Sequence, residues 1–202
     1  MKVLITCGPT WVPIDDVRVI SNISSGQMGH LIARFYNEIG AKVTLLEGPV
    51  THSLDVKGIR VIKYSFFDEL AKALRTECAK KYDVIVHAAA VADFKLPKAS
   101  KVKLSSVSKL NLQLVPTEKL IDSIKRLSPH SFLVGFKLES QLKERDLFRS
   151  TRKLFVESGC DVVVANTVSK GYAGFVIDAD GVILAKAVSK RQLAKKLVQL
   201  LN

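Results

Sequence analysis

Apolar runs of strand length alternate along this chain with segments of helical period, and that alternation restricts the fold more than any other feature. Strands are predicted at Val3–Thr6, Lys42–Leu46, Arg60–Tyr64, Val84–Ala88, Phe132–Phe136 and Val162–Ala165. Several are apolar on consecutive residues, as strands covered on both faces are. Helices are predicted at about Gly29–Ile39, Phe67–Lys80, Glu118–Leu127, Gln141–Glu157 and Lys190–Leu201. The second carries Leu70, Ala73, Leu74 and Cys78 along one stripe. Strand–helix alternation of this kind implies an α/β fold, a doubly wound, mostly parallel (Rossmann-like) sheet with helices on both faces. With 202 residues and 48% apolar composition, the chain reads as one domain, 1–202, able to bury roughly 70% of its unfolded surface without metals or disulfides.

Two segments break the alternation. Lys95–Leu114, KLPKASKVKLSSVSKLNLQL, is basic and Ser-rich and ends in an alternating Leu110–Leu112–Leu114. It reads as a flexible flap leading into a strand. GFVIDADGVILAKAV places Asp-Gly between two β-rich runs, a hairpin signal.

Composition narrows the function classes. Cys7, Cys78 and Cys160 are far apart, odd in number and without CxxC spacing, so neither a disulfide framework nor a zinc site is expected. Buried thiols in a reducing cytoplasm are. The opening MKVLITCGPT reads as a buried strand, not a signal peptide, and no apolar run approaches the roughly 20 residues of a membrane span. The formal charge of +12 favours anionic ligands. Its densest clusters, Lys95–Lys103 and Ser189–Lys196, lack the interleaved aromatics that stack bases, and the second suits the solvated face of a terminal helix. Neither nucleic acid nor a membrane is expected as a partner.

In open α/β sheets, ligands sit beyond the carboxyl ends of the strands. The most unusual segment there is GPTWVPIDDVRVISNISSGQMG, Gly8–Gly29, too long and polar for an ordinary strand-to-helix turn. It has no GxGxxG, and the chain has no Gly-Lys pair for a P-loop, no GxSxG and no HExxH. No Tyr is followed four residues on by Lys, so a short-chain dehydrogenase lacks its catalytic pair. Gly8 allows a tight turn, and Ser24 or Ser25 with Gly26 opens a helix whose free amides suit an anion. Arg18 can clamp a carboxylate or phosphate, or pair with Asp15 or Asp16. Asn22 can hydrogen-bond an oxyanion, or serve as a turn residue.

This segment resembles the opening motif of the phosphopantothenoylcysteine synthetases (phosphopantothenate–cysteine ligases), the synthetase half of the bifunctional coenzyme A biosynthesis protein of many bacteria. The resemblance continues in order through AAAVADF (Ala88–Phe94), KVKL (Lys101–Leu104), LQLVPTEKLI (Leu112–Ile121), VGFKLES (Val134–Ser140) and DVVVANTVS (Asp161–Ser169). The flavin-dependent decarboxylase half has no counterpart here, which suits a stand-alone synthetase or an excised domain.

The resemblance implies a cytoplasmic, Mg²⁺-requiring ligase that activates 4'-phosphopantothenate with CTP or ATP, releases pyrophosphate and couples cysteine to the acyl-nucleotidylate. It also implies a homodimer and a possible separate decarboxylase partner. Asn22 corresponds to the Asn that holds the activated acyl group, and Lys101 and Lys103 to a flap that closes on the triphosphate. Arg18, Ser24, Ser25, Gly26 and Ala90 would contact the substrate. Gly8, Ala89, Asp93, Thr117, Lys119, Phe136 and Lys153 would contact the nucleotide, with no metal ligand among these residues. Bacterial members carry two lysines four apart before the D-x-x-x-A-N block; here Lys153 stands for the first, and Glu157 or Ser158 replaces the second. Family prevalence favours CTP, although FKLES resembles the ATP-using eukaryotic relatives. The other readings are a non-catalytic nucleotide- or nucleic-acid-binding module, supported by the charge, and an NAD(P)-linked oxidoreductase.

Overall fold

The computed structural model describes residues 1–107, 109–140, 143–169 and 171–202. An eight-stranded sheet forms its centre. In chain order its strands are β1 (Lys2–Cys7), β4 (Lys42–Glu47), β5 (Ile59–Lys63), β6 (Val84–His87), β9 (Phe132–Leu138), β10 (Val162–Thr167), β11 (Ala173–Asp178) and β12 (Ile183–Ala187). Two small ribbons lie outside it, β2 (Trp11–Pro13) with β3 (Val19–Ser21), and β7 (Phe94–Lys95) with β8 (Val115–Pro116). The helices are α1 (Gln27–Glu38), α2 (Phe67–Cys78), α3 (Leu120–Leu127), α4 (Leu147–Val156) and α5 (Lys190–Leu200).

Across the sheet the order is β5-β4-β1-β6-β9-β10-β11-β12. All pairs from β5 to β10 are parallel, and β11 and β12 join antiparallel at one edge. The chain therefore winds outward from β1 through β4 to β5, then returns to β6 and winds the other way. The reversal between β1 and β6 is the topological switch point of a doubly wound sheet, where such folds bind ligands.

Side-chain alternation assigns the two faces. Val3, Ile5 and Cys7 point into a core shared with α1 and α5, where Ile32, Tyr36, Leu193 and Leu197 are buried. Leu4 points the other way, to a core built with Leu70 and Leu74 of α2 and Ile121 and Ile124 of α3. With both faces covered, each central strand needs apolar residues on consecutive positions, the pattern that marks them in the sequence.

Three expectations change. The Gly8–Gly29 segment is not a plain loop, because Trp11–Pro13 and Val19–Ser21 close into a hairpin around the Ile14–Arg18 turn. Trp11 anchors it, its N–H donating to Ser65 O at 2.8 Å and its ring meeting Phe66 edge-on at 6.3 Å. The Leu110–Leu114 alternation forms no strand; the ladder holds only Val115 and Pro116 against Phe94 and Lys95. Proline has no N–H to extend that pairing. The expected Gln141–Glu157 helix is a short 3₁₀ turn, Glu144–Asp146, followed by α4, and Gln141 itself lies outside the described residues. The Asp-Gly hairpin forms as expected, with Asp178 Oδ1 accepting from Val182 N at 2.8 Å and Gly181 at φ +83°. Among the described residues no helix is long and apolar enough to cross a membrane.

Candidate active site

The floor of the crevice is the pair of strand ends at the switch point. Thr6 of β1 lies beside His87 of β6, with Thr6 Oγ1 and His87 Nδ1 3.0 Å apart, and Ala89 N donates to the same hydroxyl at 3.1 Å. Burial lowers the His87 pKa to about 4, so its imidazole is neutral at pH 7.

Beyond these ends the two loops run side by side. Ala90 N donates to Gly8 O at 2.8 Å, Thr10 N to Ala90 O at 3.4 Å, and Ala92 N to Thr10 Oγ1 at 2.9 Å. Asn22, just past the hairpin, joins this ladder: its Nδ2 donates to Ala90 O at 3.2 Å and Val91 O at 3.1 Å. Two facing carbonyls require the amide nitrogen there, which leaves Oδ1, an acceptor, as the atom Asn22 presents. A role as donor to an oxyanion would need these bonds to be exchanged. Next along the chain, Asp93 pairs with Lys119, Thr117 N donates to Asp93 O at 2.9 Å, and Thr117 Oγ1 to Ala92 O at 2.6 Å. Gly8, Asn22, Ala89, Ala90, Asp93, Thr117 and Lys119 thus converge in one hydrogen-bonded network.

Arg18 has a different setting. Its Nη2 lies 2.6 Å from Asp15 Oδ2 and also donates to Leu104 O at 2.6 Å, while Leu104 N donates to Asp15 Oδ2 at 3.0 Å. The ion pair therefore grips both backbone groups of one flap residue. The Arg18 guanidinium, with Leu104 N–H and two further amides, holds the Asp15 carboxyl well below the usual carboxylate range. A second tether, Ser100 N to Ile14 O at 3.0 Å, fixes the other end. Lys101 and Lys103 project from the three residues between the tethers, both exposed and, among the described residues, without a carboxylate partner.

A wall of glycines closes the β1 and β4 side. Gly26 caps α1 at φ +70°, and a Cβ there would lie 2.9 Å from Val50 Cγ1. Ser24 Oγ and Ser25 Oγ sit 3.5 and 3.4 Å from the amides of Gly26 and Gln27, long contacts that an anion can replace. Beneath this turn lies a polar cluster that spacing could not reveal. Glu47, fully buried, accepts from His30 Nε2 at 2.6 Å, Leu54 N at 2.8 Å, Ser53 Oγ at 2.5 Å and Lys63, and Cys7 is beside it. No signal in the sequence pairs these residues, which come from β1, α1, β4, β5 and the loop between β4 and β5.

Two expected residues stand apart from the network. Phe136 lies one residue past the β9 partner of His87 and packs half-buried on the α1–α5 side. Lys153 is on the outer face of α4, 3.4 Å from Glu157 and 74% exposed. It falls in the second half of a helix that returns from the carboxyl edge of β9 to the amino end of β10, so the structure does not bring it to the crevice.

Strand order and the switch-point crevice define a Rossmann-like α/β protein of the doubly wound class. The chain belongs to the DNA/pantothenate metabolism flavoprotein C-terminal domain family, whose model matches residues 1–201. It is 39% identical over 201 residues to the "Coenzyme A biosynthesis bifunctional protein CoaBC" of Thermococcus kodakarensis, covering 97% of this chain and 49% of that protein. The chain therefore spans about half the length of this curated relative. The fold matches the DNA/pantothenate metabolism flavoprotein from Streptococcus pneumoniae with a TM-score of 0.88 at 24% identity, covering 99% and 97% of the two chains. It also matches a Cab2 variant solved in complex with phosphopantothenate-cysteine, with a TM-score of 0.78 at 18% identity, covering 99% and 84%.

Proposed function

We propose that this chain acts as one unit, 1–202, joining 4'-phosphopantothenate to cysteine through an acyl-nucleotidylate, with release of pyrophosphate, in coenzyme A biosynthesis. The observation that carries this reading is the network at the switch point, in which Asn22 ties the hairpin to the Ala90–Val91 backbone. It is supported by family membership and by the name of the Thermococcus relative, a coenzyme A biosynthesis protein.

In this reading the α1 terminus and the serine turn hold the substrate phosphate by backbone amides and helix dipole. Lys101 and Lys103 close over the triphosphate and offset charge as the carboxylate attacks the α-phosphorus. Asn22 Oδ1 then accepts a hydrogen bond from the incoming cysteine amine. Mg²⁺ would enter with the triphosphate, held by phosphate oxygens and water, and would offset charge there; Asp93, paired with Lys119, stays a nucleotide contact. CTP is the proposed nucleotide, on family prevalence alone; ATP is the alternative, because neither Glu157 nor Ser158 supplies the second lysine of the bacterial pair.

A homodimer is proposed from the exposed apolar side chains of hairpin and flap: Val19, Ile20, Ile23, Val107, Leu110 and Leu114. A patch of that kind on a soluble chain marks an interaction surface, and an alternating Leu110–Leu114 without a ladder partner suits pairing across a two-fold axis. A separate decarboxylase would supply the reaction that follows.

An Asn22→Asp variant tests the assignment, because a carboxylate cannot donate to the Ala90 and Val91 carbonyls that hold Oδ1 in place. It should still release pyrophosphate with 4'-phosphopantothenate but form the cysteine amide at least tenfold more slowly. Equal loss of both half-reactions would remove the role given to Asn22.

A further inference from the structure

The cluster beneath the α1 terminus has no part in the reaction proposed above. It holds a thiol, an imidazole and a carboxylate whose Sγ, ring nitrogen and carboxylate oxygen all lie within 4.8 Å of one another. Among the described residues it is the one such group. We propose that Cys7, His30 and Glu47 bind a single zinc-class ion, Zn²⁺ being the natural occupant, which ties β1, α1 and β4 together under the crevice.

The donor set points to that metal class. Thiolate with imidazole and carboxylate suits borderline-soft Zn²⁺, whereas Mg²⁺ takes oxygen ligands alone. Tetrahedral zinc with bonds of 2.0–2.3 Å places ligand atoms about 3.3–3.6 Å apart, so from a spread of at most 4.8 Å the widest pair closes by no more than about 1.2–1.5 Å, a movement shared between two side chains. At its narrowest, the 2.6 Å bond between His30 Nε2 and Glu47 Oε1 opens to admit the ion, and both atoms turn to it. Three protein ligands leave the fourth position to water.

The surroundings fit a ligating carboxylate. Leu54 N donates to Glu47 Oε1 at 2.8 Å, while Ser53 and Lys63 hold Oε2. These outer partners fix the carboxylate's orientation, as second shells of metal sites do, and once His30 turns, Oε1 keeps a lone pair for an ion beside the one that accepts from Leu54 N. Cys7 is 1% exposed, and burial pushes its thiol pKa far up, so without metal it stays protonated and inert. Binding releases that proton to solvent and moves the imidazole proton to Nδ1. The ion's two positive charges are then balanced by one thiolate and one carboxylate, and Lys63 keeps its bond to Oε2.

Metal-stripped protein titrated with Co²⁺ tests the site without reference to catalysis, so its outcome is separable from that of the ligase reading. One equivalent should bind and produce a thiolate-to-cobalt charge-transfer band in the near ultraviolet. Cys7→Ala should abolish the band while Cys78→Ala and Cys160→Ala keep it, and His30→Gln should weaken Co²⁺ binding at least tenfold. Zn²⁺ should displace Co²⁺ and raise the melting temperature of the native sequence but not of Cys7→Ala. Absence of a thiolate band, a band that survives Cys7→Ala, or affinity unchanged by His30→Gln would overturn the proposal. His30 is only partly buried, so that variant keeps the test open if Cys7→Ala does not fold.

Discussion

His87 gives the sharpest link between the floor of the crevice and a bulk measurement. Burial lowers its pKa from the ordinary 6.5 to about 4. Between those values the unfolded chain binds a proton that the native state refuses, so stability falls as pH is lowered from about 6.5 to 4 and the slope vanishes below. A displacement of about 2.5 pH units corresponds to roughly 3 kcal/mol in total, and about 2 kcal/mol of it is expressed between pH 7 and 4.5. His87→Gln keeps a polar group for Thr6 Oγ1 but does not titrate. Urea unfolding of both proteins at pH 7, 6, 5 and 4.5, followed by far-ultraviolet circular dichroism, should show the two stabilities approaching one another by about that amount on acidification. Asp15, whose depressed carboxyl contributes stability lost only at lower pH, is common to both proteins and cancels. Parallel pH profiles would refute a buried, neutral His87, and with it the closed floor beneath Thr6 and Ala89.

Gly29→Ala should destabilise the fold by about 2 kcal/mol in urea unfolding. The new Cβ would lie 2.4 Å from Cys7 Cβ, both atoms are fixed to backbone, and the overpacking cost exceeds the helix-propensity gain of alanine. Arg18→Met should release the flap, so that the Leu104 amide exchanges about tenfold faster by hydrogen exchange while amides of β1 and β6 are unchanged; unchanged Leu104 protection would show that Asp15 alone holds it.

What the sequence revealed follows from where information is local. Strands such as Val84–His87 are buried on both faces, so their identity is written in consecutive residues. The amphipathic helices carry their stripe in the same way. The Trp11–Ser21 hairpin was hidden because each arm has three residues, one of them Pro13, below the length at which alternation is legible. Leu110–Leu114 has the strand pattern but, among the described residues, no neighbour to complete a ladder. Arg18 shows the limit of reading side chains alone: pairing with Asp15 was one of two open readings, but its grip on Leu104 spans 86 residues. Lys153 was placed by its block in the chain, and helix direction carries it away from the crevice. Cys7, His30 and Glu47 meet only because β1, α1 and β4 pack together, so no spacing rule could have found them.

If the switch-point crevice activates a phosphorylated acid with a nucleoside triphosphate, pyrophosphate must leave in the first half-reaction. The most direct measurement is pyrophosphate release with Mg²⁺ and each of the four nucleoside triphosphates, with and without 4'-phosphopantothenate. Release is expected with CTP, or with ATP, only when 4'-phosphopantothenate is present, and the cysteine amide should form when cysteine is added. Release that ignores 4'-phosphopantothenate, or no release with any of the four, would contradict that activation.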